Sequence, residues 1–203
     1  MKILYLVPHL STGGMPQYTY LIMKKLVETG HEIHCVEFQD IAPIYRVQKD
    51  RIINLLGNNR FRCLGEDKNE LFDILDLVKP DVLHIEEIVE LAWFEDEICE
   101  RIYDENRSYK IIETTHNQGF DVKKGKKYIP DGFVFVSEDH VSKYEHFDVP
   151  YEVIFPELEK KERPDRSSIL QSLGLDPDKK HILNVGLFTE RKNQGEIFDL
   201  ANH

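Results

Sequence analysis

"KILYLVPHLSTGGMPQYTYLIMKKL", residues Lys2–Leu26, passes from an unbroken apolar run through a small polar turn with two glycines into a helical stripe. An uninterrupted β-rich run predicts a strand buried on both faces, as in a parallel sheet, rather than one alternating between core and water. Tyr18, Leu21, Ile22 and Leu26 fall at i, i+3, i+4 and i+8, one face of a helix, and Gly30 suits a left-handed close to it. Strand, glycine turn and helix in this order open an α/β protein.

The same grammar continues outward. "HEIHCVEF" reads as a second strand, and the stretch from Ala42 to Gly65 is less legible, with "FRCLG" as a short strand. Leu71, Ile74, Leu75 and Val78 form a helical stripe stopped by Pro80, followed by the strand "DVLHIEE". A helix over Trp93 to Tyr103 leads to "YKIIETTHN", and "DGFVFVSE" and "YEVIFPE" add two strands. Alternating strands and helices imply right-handed crossovers and a doubly wound parallel sheet. At "ELEKKERPDRSS" charge and Pro164 replace apolar residues, so residues 157–168 are expected to be a linker between a Rossmann-like domain over 1–156 and the beginning of a second α/β domain over 169–203. There "HILNVGLF" reads as a buried strand between two helices, a set too small to bury a sheet. The expectation is a truncated chain, the front part of a longer protein, with "HILNV" short of sheet neighbours.

Composition excludes several classes. At 203 residues and 41% hydrophobic the chain can bury a core, and a net charge of -11 argues against a nucleic-acid partner, which needs a concentrated positive surface. Three scattered cysteines, Cys35, Cys63 and Cys99, suggest neither a disulfide framework nor a zinc cage and fit a cytoplasmic protein. No stretch approaches the ~20 apolar residues that span a bilayer, so any membrane contact would be peripheral. No metal site and no cofactor are expected; His31 and His34 fall on opposite faces of a strand.

Ligands of open α/β sheets sit at the carboxyl ends of the strands, where Gly13 and Gly14 lie. Glycine there either makes a tight turn or lets a phosphate or sugar approach the amides. No G-x-G-x-x-G follows the first strand, and "GFDVKKGKK" has the wrong spacing for a Walker A loop. His116 ends a strand at the same edge, as a cap or as a hydrogen-bonding partner of a ligand. Glu86 and Glu87 end another and suit ligand hydroxyls, their side chains pointing to opposite faces. Ser137 reads as a helix N-cap. Lys123 to Lys127, "KKGKK", reads as a solvated loop or as a patch steering an anionic acceptor or lipid headgroup.

Taken in order, "GGMPQYTYLIMKKLVETGHEIHCV", "KPDVLHIEE", "IIETTHN", "DGFVFVSE" and "ILNVGLFTERKNQGEIFDLA" resemble the front half of family 4 retaining glycosyltransferases, which have the two-domain GT-B fold. The resemblance implies transfer of a sugar from a nucleotide-sugar donor of the UDP or GDP type to a sugar or glycan acceptor. It implies that Gly13 and Gly14 contact the donor diphosphate, that His116 lies near the reacting sugar, and that Lys192 holds the leaving group. Two departures stand out. Leu187 replaces the family arginine, leaving Arg191 as a stand-in cation or a solvated charge, and "VIFPELE" lacks the Asn-Gly that follows the proline. The family's C-terminal carboxylates are absent, so this chain alone is expected to be inactive. The alternatives are a non-enzymatic sugar-binding or regulatory half-protein paired with a separate donor-domain chain, and another GT-B enzyme such as a nucleotide-sugar epimerase.

Overall fold

The structure is a computed structural model that describes every residue except 40–41, 91–93, 118, 157–161, 187–189 and 202–203. Its backbone forms two compact units, Met1–Leu158 and Glu159–His203.

In the first unit the apolar runs become β1 (Lys2–Val7), β2 (Glu32–Glu37), β3 (Phe61–Cys63), β4 (Val82–Glu86), β5 (Lys110–Thr115), β6 (Gly132–Phe135) and β7 (Tyr151–Val153). All pair in parallel, in the order β3-β2-β1-β4-β5-β6-β7. This is the doubly wound α/β sheet, and the chain reverses its direction of winding between β1 and β4. The helices α1 (Gly14–Glu28), α2 (Val47–Leu56), α3 (Glu70–Val78), α4 (Asp96–Ile102), α5 (Val122–Gly125) and α6 (Val141–Tyr144) connect the strands.

Alternation along the strands sorts the core into two faces. Ile3, Tyr5 and Val7 of β1 pack with Met23 of α1 and Ile52 and Leu56 of α2. Leu4, Leu6, Leu83, Ile85 and Ile111 pack with Leu71 and Leu75 of α3 and Ile98 and Ile102 of α4 on the other face. Pro80 follows the α3 stripe as expected, and Lys79, at φ 49, turns the chain left-handed before it. Gly30, at φ 87, closes α1.

Several local expectations are corrected. The illegible stretch contains α2, whose polar "VQKDR" start hides its apolar side. The Ser137 hydroxyl makes no cap bond, because the turn it starts, Glu138–His140, is a short 3-10 segment. "KKGKK" is no solvated loop throughout: α5 turns Lys126 inward, where its side chain is 0% exposed.

The second unit holds α7 (Arg166–Ser172) and α8 (Gly195–Ala201). Asp165 caps α7, accepting from the Ser168 amide at 2.8 Å, and Gly174, at φ 69, ends it. Residues 181–185, expected as a buried strand, form no strand, and Ile182, Leu183 and Val185 are exposed. A strand is held by its neighbours' ladder, and no other strand stands in the described part of this unit. Among the described residues no helix is long and apolar enough to cross a membrane.

Candidate functional site

The winding reversal falls between β1 and β4, and sheets of this kind receive ligands in the crevice at the carboxyl ends of the strands there, here β1, β4 and β5. Three elements supply its side chains. The first is the loop from β1 to α1. The Leu10 amide donates to buried Glu37 Oε1 at 2.7 Å, and the Lys49 amide of α2 donates to the Leu10 carbonyl at 3.0 Å, so the loop is pinned from two sides. Glu37 in turn pairs with Lys49 Nζ at 2.7 Å and accepts from Cys63 Sγ at 3.3 Å.

Gly13 then takes φ 127 and ψ 177, a region open essentially to glycine alone. Gly14 is the first helical residue and lacks a positive φ, so only one of the two glycines is required by backbone geometry. No side chain caps α1, and Pro16 has no N–H. The Gln17 amide bonds the Gly13 carbonyl at 3.3 Å, which leaves the amides of Gly14 and Met15 without an intrahelical acceptor.

The second element is the polar side of β4 and β5. Leu83 and Ile85 face one core, which sends His84 and Glu86 to the other side, and Thr114 and His116 follow in register on β5. Glu86 is fully buried, and its Oε2 accepts from His116 Nε2 at 2.9 Å. His84 Nε2 lies 2.7 Å from Thr114 Oγ1, and its ring stacks on Tyr5 at 4.4 Å. Burial holds the His84 imidazole below its ordinary range against the pull of Glu86, so it favours the neutral form. Tyr18, one turn into α1, sets its ring edge-on to His116 at 5.2 Å, which ties the glycine turn to the pair. Burial raises the Tyr18 hydroxyl, and the Glu86 charge raises it further.

The third element is Glu87, which leaves the strand at φ 74. Here the left-handed residue ends β4, and the Glu87 carboxyl faces the backbone amides of His116 and Asn117. Burial pushes that carboxyl up to about 7, with His116 and those amides pulling it down.

Of the residues singled out from sequence, the structure brings Glu86 and His116 into contact and places Gly13 and Gly14 at the neighbouring helix start. Lys192 is exposed at the end of a short 3-10 turn, Glu190–Lys192, in the second unit. The side chain of Arg191 and all of Leu187 lie outside the described residues. Sequence reasoning missed Tyr18, His84 and Thr114. The signal was in "VLHIE", where Leu83 and Ile85 alternate with His84 and Glu86, the mark of a strand whose second face is not core; "IIETTH" carries no such alternation. Among the described residues, no group of three or more His, Cys, Asp or Glu side chains is arranged to hold a metal ion.

No protein-family model matches this chain, and no curated protein does. Among solved structures, a predicted subunit of tRNA methyltransferase from Methanocaldococcus jannaschii aligns over 88% of this chain and 90% of its own, at 17% identity and a TM-score of 0.30. A likeness of that degree assigns no activity. The resemblance to family 4 glycosyltransferases is nonetheless corrected, since no family or curated match accompanies it. Its motifs, a glycine turn, a strand-end histidine and a proline after a strand, are short features that the doubly wound sheet can carry whatever its activity, since fold does not fix function.

Glycosyl transfer, the nucleotide-sugar donor, the glycan acceptor, the peripheral membrane contact and the sugar-binding half-protein are withdrawn with it, as are the diphosphate roles of Lys192 and Arg191. The exclusion of nucleic acid is withdrawn as well. Net charge averages over a whole surface and does not bound a local patch.

Proposed function

We propose that the first unit binds a small polar molecule in the crevice above β1, β4 and β5 and acts on it by proton transfer through His116. The observation that carries this reading is the contact of His116 Nε2 with the buried Glu86 carboxylate at 2.9 Å. A carboxylate on one ring nitrogen fixes the tautomer and orientation of an imidazole and steadies the imidazolium form. His116 is also reachable, with 13% of its side chain exposed, whereas Glu86 has none exposed. Nδ1 is therefore the nitrogen that exchanges a proton with the ligand, while Nε2–H stays on Glu86. The Gly14 and Met15 amides offer an electronegative group of the ligand two directed donors, and the missing Cβ at Gly13 and Gly14 leaves the approach open.

The test is a thermal-shift screen of hydroxy, carbonyl, carboxylate and phosphate metabolites, with product analysis of each hit by mass spectrometry. At 100 times its Kd a ligand adds about 2.7 kcal/mol, a rise of roughly 5–10 °C for a domain of this size. In His116→Ala, which leaves buried Glu86 without its partner and should lower the melting point, turnover of a hit by the folded variant should fall by ~10²-fold or more. Hits turned over equally by His116→Ala, or no hits at all, would defeat the reading.

A further inference from the structure

Glu87 is the one residue of the crevice whose backbone is held in an unfavourable conformation, and its neighbourhood explains why the cost is tolerated. At φ 74 a bulky residue is an outlier, and such residues persist where the surrounding structure over-determines them, most often at functional sites. The constraint is visible. The Glu87 amide donates to the Thr114 carbonyl at 2.8 Å, continuing the ladder to β5 one residue past the strand. The amides of His116 and Asn117 bond the Glu87 carboxyl, which lies in the field of the His116 side chain. The residue is 8% exposed, and its Oε2 is buried with no hydrogen-bond partner among the described residues.

We propose that Glu87 is the second proton-carrying residue of this site, giving a proton to a ligand oxygen while His116 takes one from another atom of the same ligand. The inference rests on the His116 reading and narrows it to a carbonyl- or hydroxyl-bearing substrate. In the step, the proton on the Glu87 carboxyl passes to a ligand oxygen, whose lone pair forms the new O–H bond. A ligand proton passes to His116 Nδ1, its bonding pair staying on the ligand. One proton enters the substrate and one leaves, with no oxidant or reductant, and the return step or solvent restores both residues. The raised Glu87 carboxyl supplies an acid still protonated in part near neutrality.

Two variants test this in the full chain. The charged groups facing Glu87 are Glu86 on β4 and His116 on β5, with the Tyr144 hydroxyl of α6 also in its field. A carboxyl raised above its unfolded value of 4.5 adds stability below that pH and loses it as pH climbs towards 7. At pH 8 the wild type therefore carries both a strained backbone and a buried charge. Glu87→Gly should melt higher than wild type at pH 8 by roughly 2–4 °C or more. Glu87→Gln should gain more at pH 8 than at pH 5, and its turnover of a ligand from the His116-dependent screen should fall by ~10²-fold or more.

Both variants melting below wild type at each pH would overturn the proposal, since Glu87 would then be a strap for the end of β5. Turnover by Glu87→Gln within a few-fold of wild type, with loss in His116→Ala, would overturn it while leaving the His116 reading standing. A screen without His116-dependent hits would sink that reading and this one together.

Discussion

Two of the charged clusters that the sheet buries lie on opposite faces and are treated differently. On the α4 face, Lys126 Nζ reaches Glu113 Oε2 at 2.8 Å and both oxygens of Glu90 at 2.9 and 3.0 Å. Glu90 Oε1 also takes the amides of Lys127 and Tyr128, and the Tyr103 hydroxyl donates to Glu113 at 3.1 Å. Side-chain exposure here is 0% for Lys126 and Glu113 and 4% for Glu90. On the α1 face, Glu86 is as deeply buried, yet its partner His116 reaches solvent, the next residue is strained, and Glu86 Oε1 lacks a hydrogen bond among the described residues. A buried charge whose cation is sealed in beside it fastens a loop to a sheet. One whose partner stands half open can pass a proton on.

The contrast breaks most visibly at Lys126. Lys126→Ala strands two carboxylates without their cation, and removing one partner of a buried pair costs about 3–5 kcal/mol. Urea unfolding should show that loss, and a change below about 1 kcal/mol would mean that the network is wetter than its geometry indicates.

The glycine turn offers a smaller effect on the other face. Gly13→Val must hold φ 127 with a side chain, a strain of about 1–3 kcal/mol. Gly14→Ala meets no atom within 4 Å and should leave stability within about 0.5 kcal/mol of wild type. The denaturation midpoints of the two variants should differ; equal ones would erase the distinction between them.

The smallest effect concerns pH. Burial, opposed by Lys126, pushes the Glu113 carboxyl up to about 7, so its stabilising contribution is complete below the ordinary 4.5 and fades as pH rises through 7. Glu113→Gln should flatten that part of the melting profile between pH 5 and 8 relative to wild type. His84, held low by burial, acts in the opposite sense below its ordinary 6.5 in both proteins and so cancels from the comparison.

The sequence by itself determined the parallel sheet, because apolar runs such as "KILYLV" and stripes such as Leu71, Leu75 and Val78 are local patterns with a fixed period. It also marked the turn at Gly13 and the strand-end residues Glu86 and His116, since each follows a recognisable strand. Tertiary structure alone decided what those residues touch. Residues 86 and 116 meet only because β4 and β5 pair in one register, Glu113↔Ile85 setting the parity of their neighbours. Lys126, indistinguishable in sequence from the lysines around it, is buried because Glu90 and Glu113 converge on it from 36 and 13 residues away. Nor could sequence expose the strain at Glu87, for it arises where the chain bonds to β5 after leaving its own strand. Local periodicity is written in neighbouring residues, whereas register, burial of charge and backbone strain depend on partners brought from elsewhere in the chain.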